Sequence, residues 1–308
     1  MSTPFSHFFT KINQISPLEH DFTEVLDAIA LKPKTLYFRG KLPENMSKNG
    51  QESRPKTVAI VGSRHNTKYG EEVAYQLAYE LAQKGVIVVS GLAYGIDSIG
   101  HRGCLAGGGI TVALLGTPID HIYPRMHQPL AREIVEHGGA IMSEYAPGES
   151  VHPKTSFLQR NRLIAGLSDA VVVVEAAEQS GSLNTATHAL NQGKEVFAVP
   201  GNITNPYSQG CNKLIKQGAI PYTTPRDVLE FLFPEEFVKS RRHLKQRDLI
   251  GDTDVETLIL TALSEGLRSG EEIMDRTHLP PEVFNEATTL LEIKSRIRSL
   301  GANTWGLV

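Results

Sequence analysis

Cysteine is scarce in this chain: Cys104 and Cys211 are the only two among 308 residues, and no CxxC pair occurs. A disulfide framework and a cysteine-based zinc site are therefore excluded, and a reducing compartment is expected. Long apolar runs are also missing. The longest, Ala170 to Val174, falls far short of the roughly 20 residues that cross a bilayer. The opening MSTPFSHFFTK has neither a basic start nor a following apolar stretch, so no signal peptide and a cytoplasmic location are expected. No excess of positive charge exists either: 31 Lys/Arg stand against 34 Asp/Glu, a net charge of −3. Nucleic-acid binding by overall charge is thus excluded, and any basic surface must be local. The chain has no GxGxxG after its first strand-like run and no Walker A lysine loop. Those two absences argue against an NAD enzyme and a P-loop ATPase. No repeat or low-complexity tract is evident.

What is present is alternation. From Thr57, short β-rich runs are separated by helix-like stretches: TVAIVG (57–62), VIVVSG (86–91), TVALLG (111–116), AIMSEY (140–145), AVVVVEA (170–176) and EVFAVPG (195–201). Runs apolar on both faces belong to buried parallel strands. The pattern predicts an α/β fold, an extended Rossmann-like, doubly wound and mostly parallel sheet of about six strands. Residues 1–55 read as a short N-terminal extension and linker, with LYFRG (36–40) as a short strand and Leu18 to Ala30 as a short helix. Residues 56–235 form the Rossmann-like domain. Residues 236–251 form a basic linker, in which KSRRHLKQR (239–247) holds five Lys/Arg and no acid. Residues 252–308 read as three helices and a β-ribbon, a small winged-helix domain.

In a doubly wound sheet, ligands bind beyond the carboxyl ends of the strands. Three Gly/Ser turns are expected on that rim. After the first strand come Gly62, Ser63 and Arg64, ahead of a helix whose free N–H groups would hold an anion. The arginine fork suits phosphate. After the second strand come Ser90, Gly91 and Gly95, and after the fifth come Ser180, Gly181 and Ser182. A second constellation, His152, Lys154, Arg160 and Arg162 around Phe157, joins cations to an aromatic ring with no acid in reach. Cations that follow a backbone and a ring that stacks a base suit single-stranded nucleic acid. The blander alternative makes Phe157 a core residue and the charges a solvated face. Asp97 and His101 share a helix face, but no third metal ligand is evident. Capping and local hydrogen bonding are the expected roles there, and structural or ribose-contacting roles are expected for Glu144 and Glu175. Tyr123 and Pro124 are expected to shape their loop. No catalytic residue, metal site or cofactor is assigned.

Eight ordered motifs then carry a resemblance: VAIVGSR, SGLAYGID, His101-Arg102-Gly103, ALLGTPIDHIYP, RNRLIAGLSDAVVVVEA, SGSLNTA, EVFAVPGN and GCNKLI. Together, over about Thr57 to Phe233, they resemble the DNA-processing protein A family (DprA, also called Smf). The resemblance implies an extended Rossmann domain that binds single-stranded DNA, protects incoming strands in natural transformation, forms homodimers and loads the recombinase RecA. It implies no enzymatic activity. Carried over residue by residue, its DNA contacts fall on Ser63 and Arg64, then on Lys154, Phe157, Arg160 and Asn161, with Ser180 to Ser182 as a further strand-contacting loop. Two departures stand out. Fewer than sixty residues precede the Rossmann core, so the helical N-terminal domain of many members is expected to be truncated or missing. Thr117-Pro118 replaces a second glycine common in the family.

The competing reading is a nucleotide phosphoribohydrolase of the lysine-decarboxylase-like kind. Those enzymes carry PGGxGTxxE after the equivalent late strand, with the Glu catalytic. Here the stretch is SGSLNTATHAL, without that acid. A third reading, a duplex-DNA regulator, rests on the winged helix alone. From Asp252 onward, however, ten Asp/Glu oppose five Lys/Arg, and the expected recognition helix carries Glu282, Glu286 and Glu292. A groove reader should be basic. The C-terminal domain is therefore expected to be a protein-contact or autoregulatory module. A chain ending at Arg247 should keep most of its single-strand affinity in a fluorescence-anisotropy titration; loss of most of that affinity would refute this expectation.

Overall fold

The computed structural model describes residues 11–48, 51–235 and 249–307. The basic segment KSRRHLKQR lies outside the described residues. The chain divides into two compact units, Met1–Leu232 and Phe233–Val308.

The first unit is built on a nine-stranded sheet. Its strands are β1 (Asn13–Ile15), β2 (Leu36–Gly40), β5 (Thr57–Val61), β6 (Ile87–Ser90), β7 (Thr111–Leu115), β8 (Ala140–Ser143), β9 (Ala170–Val173), β10 (Glu195–Ala198) and β11 (Ile220–Pro221). A separate hairpin pairs β3 (Met46–Lys48) with β4 (Gln51–Ser53). The sheet order is β1-β2-β8-β7-β6-β5-β9-β10-β11. From β8 to β11 every pairing is parallel. The six expected runs form the centre of this array, and β5 to β9 are buried along their whole lengths. Sequential strands step from β5 out to β8, then the chain crosses back to place β9 on the other side of β5. That reversal is the topological switch point, where the loops after β5 and β9 part and leave a crevice.

The helices follow from the same patterning. In α2 (Lys68–Gln83), Ala74, Leu77, Ala78, Leu81 and Ala82 form one buried stripe at helical spacing, and the Thr67 side chain caps the start by accepting from the Gly70 N–H. The remaining helices of this sheet are α3 (Ile96–Ala106), α4 (Gln128–Glu136), α5 (Pro153–Leu167), α6 (Gly181–Asn191), α7 (Gln209–Lys216) and α8 (Pro225–Leu232). The crossover helix α5 starts with Pro153 at its first position, where a missing N–H costs nothing. Its second half, Leu163 to Leu167, is buried throughout, and it packs across β5, β6 and β7 and against α6.

The N-terminal stretch differs from the extension and linker expected of residues 1–55. Its strands β1 and β2 pair antiparallel with each other, and β2 pairs antiparallel with β8, so they continue the main sheet. The expected helix over Leu18 to Ala30 is broken into a 3-10 turn, the single-turn helix α1 (Asp21–Glu24) and a second 3-10 turn. Phe22, Leu26 and Ile29 enter the same core as Leu163 and Ile164. Arg162 fastens this segment. Its Nε donates to the Leu31 carbonyl at 2.7 Å, its Nη1 to the Gln159 carbonyl at 3.0 Å, and its Nη2 to Glu144 at 2.6 Å. Arg162 thus has an acid in reach and a structural partner set, contrary to its grouping with the groove cations.

The second unit contains α9 (Asp254–Ser264), α10 (Gly270–Thr277), α11 (Pro281–Ile293) and the antiparallel ribbon β12 (Ile297–Gly301) with β13 (Thr304–Leu307), the expected winged-helix arrangement. Its own core gathers Ile259, Leu260, Leu263, Ile273, Phe284, Leu291 and Ile297.

Replacing Arg162 with Met would leave Glu144 without its cation and the Leu31 carbonyl without its donor. Stability in urea denaturation should fall by about 3 kcal/mol, as expected for breaking one side of a largely buried ion pair. A loss below about 1 kcal/mol, the range of surface pairs, would show that the N-terminal segment is held by packing alone.

Candidate nucleic-acid interface

The switch point holds a cavity of about 440 Å³ lined by Gly62, Ser63 and Arg64 after β5, by Phe157, Arg160 and Asn161 of α5, and by Ser180, Gly181 and Ser182 at the start of α6. Three segments far apart in the sequence, each expected to contact a ligand, thus meet in one place. Phe157, Arg160 and Asn161 share a face because residues three and four apart on a helix are neighbours. Arg162, two positions beyond Arg160, points elsewhere. Lys154 is exposed on the first turn of α5 and lines none of the cavities around Phe157.

Arg160 forms the floor. Only 4% of it is exposed, its Nη1 donates to the Leu114 carbonyl, and its Nε has no partner. Burial pulls the guanidinium down to about 10; Asp97 opposes that shift and Arg64 adds to it. Asp97 is buried beside it. Its Oδ2 accepts from the Gly91 N–H at 3.1 Å and the Ala93 N–H at 3.4 Å, which shapes the loop after β6. Burial pushes the Asp97 carboxyl up from its ordinary value, against the pull of Arg160 and those N–H groups. A Cβ on Gly91 would collide with the Arg160 guanidinium, so only glycine admits this arginine.

The other glycines part company. A Cβ on Gly62 would meet Ile96 at 2.7 Å, so this glycine lets α3 pack against β5. A Cβ on Gly181 would meet nothing within 4 Å. The open approach is therefore at the start of α6. There the Ser180 hydroxyl accepts from the Ser182 N–H at 3.3 Å and lies 2.7 Å from the Ser182 hydroxyl. Asn161 braces this turn through Nδ2, which donates to the Gly181 carbonyl at 3.3 Å and to Asn184 at 3.2 Å.

The expected anion site at the start of α2 is occupied by the protein itself. Glu175, at the end of β9, accepts from the Thr67 N–H at 2.8 Å and the Thr67 hydroxyl at 2.6 Å. A carboxylate there satisfies the positive end of the helix dipole. Ser63 is likewise internal to its turn: its hydroxyl accepts from the His65 N–H and its carbonyl from the Ile96 N–H. Arg64 is exposed, with its guanidinium carbon 5.6 Å from the Phe157 ring centre.

Phe157 is shared by three cavities. Besides the switch-point cavity, it lines one of about 520 Å³ with Thr117, Asp120, His121 and Tyr123, and a small one with Arg64, Tyr94 and Tyr123. The Tyr123 and Phe157 ring centres are 5.5 Å apart, and Gly116 makes room for Phe157 beneath. Tyr94 and Tyr123 add two exposed rings to the groove that the sequence does not mark as stacking residues. Their only signal is an aromatic in a rim loop of an α/β sheet, which no periodicity singles out.

His101 is apart from this groove. It is fully buried, and its Nδ1 lies 2.7 Å from the Thr111 hydroxyl, which itself donates to the Val88 carbonyl. The ring therefore carries its proton on Nδ1, and Nε2 has no partner. Among the described residues, no three His, Cys, Asp or Glu are placed to hold a metal ion.

The profile of the family described as DNA recombination-mediator protein A matches residues 13–233, and the chain belongs to that family. It is 49% identical over 175 residues to Protein Smf of Escherichia coli K12, covering 57% of this chain and 46% of that one. It is 43% identical over 187 residues to DNA processing protein DprA of Bacillus subtilis 168, covering 61% and 62%. The chain thus spans less than two thirds of the length of these two relatives. Among solved structures it is similar to DNA processing protein A from Streptococcus pneumoniae, with a TM-score of 0.62 at 36% identity over 73% of this chain and 75% of that one. It is also similar to DNA processing protein A from Helicobacter pylori, described for its single-stranded DNA binding mode, with a TM-score of 0.63 at 31% identity over 75% and 98%.

Burial, then His127 and Arg160, pull the His101 imidazole from 6.5 down to about 3. Its folded value lies below its unfolded value, so its contribution is fully present above pH 6.5 and is lost as pH falls toward 3. Folding stability should therefore drop between pH 6.5 and about 5, ahead of most carboxylates, and His101→Asn should flatten that slope. Urea midpoints measured across the range check this; an unchanged slope in the variant assigns the drop to other groups.

Proposed function

We propose that the chain is a single-stranded DNA-binding protein that protects incoming DNA and loads RecA recombinase during natural transformation or DNA processing, working as a homodimer in the cytoplasm. The observation that carries this reading is the groove around Phe157. A ring flanked by Arg64 and Arg160, with Tyr123 beside it and an open helix start at Ser180 to Ser182, offers stacking and phosphate contacts together. In this reading Arg64 holds backbone phosphate and Phe157 stacks a base. Asn161, Gly181 and Ser182 present N–H and hydroxyl groups at the next phosphate, and Lys154 makes an outer contact. Ser63 and Gly62 set the turn. Single-stranded DNA binding by the Helicobacter pylori protein supports the choice of ligand.

The placement of the acids supports binding rather than catalysis. Glu175 is committed to capping α2, and Asp97 to the loop after β6. His188 stands where a phosphoribohydrolase would carry its catalytic Glu, and it lines a different cavity with Leu31 and Arg162. Incubation with a nucleoside monophosphate should release no free base.

Anisotropy titrations with labelled single-stranded and duplex oligonucleotides should show preference for the single strand. Arg64→Ala should weaken binding and reduce the slope of log affinity against log salt by about 1. Phe157→Ala should cost about 1–3 kcal/mol of affinity at an unchanged melting temperature. Equal affinity for duplex, or unchanged salt slope in Arg64→Ala, would overturn the reading. RecA filament assembly on a coated strand, with and without the protein, tests the loading step.

A further inference from the structure

Phe157 is a common wall of two cavities of unlike chemistry. The switch-point cavity carries Arg64 and Arg160, and its acid, Asp97, is taken up by Arg160 and the loop after β6. The second cavity, of about 520 Å³, has no Lys or Arg in its wall. Tyr123, Val151 and Pro153 line it together with Phe157, and its acids are Asp120 and Glu149. Its one basic side chain is His121. Arg39 of β2 stands near enough to Asp120 to gain from its charge, but it is not part of the wall.

The two loops that carry these acids are tied together. Asp120 Oδ2 accepts from the Gly148 N–H at 3.0 Å, and the Ile119 N–H donates to the Tyr145 carbonyl at 3.3 Å. Glu149 Oε2 accepts from the Ala146 N–H at 2.7 Å. An ionised carboxylate offers about four acceptor sites on its two oxygens and no donor. Each acid therefore spends one acceptor site on its loop and keeps acceptor capacity for a ligand. The Thr117 hydroxyl donates to the His121 carbonyl at 2.6 Å, so its proton is taken. Such a lining repels phosphate. It favours a flat, uncharged group that packs on the rings and carries N–H donors on its edge.

We propose that this second cavity takes one nucleobase of the bound strand and selects it by its N–H donors, guanine first. The inference rests on the single-stranded DNA reading above. The nucleotide straddles Phe157: its phosphate stays with Arg64, while its base stacks on the ring and turns its edge to Asp120 and Glu149. A single strand leaves open the base edge that a duplex hides. Guanine carries its N1–H and N2 amino donors side by side, a match for the two oxygens of a carboxylate. Cytosine and adenine carry one amino group there. Thymine carries a single N–H between two carbonyls, and those carbonyls meet the acids unfavourably. Both acids are exposed, so water competes and the discrimination is modest. Asp120 and Glu149 thus determine specificity and take no part in holding phosphate.

Anisotropy titrations of the full chain with two twelve-nucleotide strands test it, one alternating thymine and guanine, the other thymine and hypoxanthine. Hypoxanthine is guanine without the N2 amino group, and lithium salt keeps guanine quartets from forming. The natural chain should bind the guanine strand about tenfold more tightly, the worth of one hydrogen bond to a charged group. An Asp120→Asn/Glu149→Gln variant keeps an oxygen for each loop N–H. It should bring the ratio within about twofold of one and leave the salt slope unchanged, because the phosphate contacts lie elsewhere. A Glu133→Gln/Glu136→Gln variant on α4 removes as much charge away from the cavity and should keep the natural ratio. Equal affinity of the natural chain for the two strands overturns the proposal, and that result depends on no variant folding. A tenfold ratio that survives in the cavity variant, at the natural melting temperature, overturns it too. So does loss of the ratio in the α4 control, which assigns the effect to overall charge. Binding of neither strand would instead refute the single-stranded DNA reading, and the inference falls with it, so the two failures are told apart.

Discussion

A guanidinium buried under the switch point constrains everything above it. Arg160 lies between the Leu114 carbonyl and Asp97, in space that exists only because residue 91 is glycine. Removing a charge from water is costly unless polar groups replace the water. Here the replacement comes from the Leu114 carbonyl on β7 and the Asp97 carboxyl at the start of α3, which itself holds the loop after β6, so that loop, β7 and the helix α5 are tied to one another. Phe157, one turn before Arg160, inherits its height over the groove from that lock, and Gly116 beneath it completes the seat. The ring is therefore held from below by charge and from the side by Tyr123.

The second constraint is Glu175. The general expectation for a Rossmann-like fold is an anion at the first helix start, and an anion is there, but it belongs to the protein. Filling that place with a carboxylate moves the available helix start one strand over, to α6, where Ser180 and Gly181 leave open space. The open helix start thus lies sideways along the rim, toward α5 and its cations, without any change in the sheet.

Much of this is legible in the residues. The six central strands are valine-rich runs whose burial on both faces leaves one reading, and the winged unit follows from helix caps and a short ribbon. The edge strands are harder. NQI is too short and too polar to read as a strand, IP is too short and holds a proline, and the conformation of each is decided by the neighbour it pairs with. Phe157, Arg160 and Asn161 are recoverable because spacing of three and four places them together. The same rule separates Arg162 from Arg160, and it is the N-terminal segment, invisible as a partner in the sequence, that explains Arg162. Gly62 reads as a ligand-approach glycine, and the structure adds that it also makes room for Ile96. Local sequence cannot distinguish these two uses of a missing Cβ; only the identity of the atom opposite does.

The ends of the large sheet carry a further consequence. One margin is β1, of three residues, and the other is β11, of two residues ending in Pro221, which has no N–H to offer. Short margins and a proline give an incoming strand almost no ladder to join. Among the described residues, the sheet thus offers little edge for another molecule to lengthen. The broad surfaces this part of the unit presents to a partner are its helices and loops rather than a free strand.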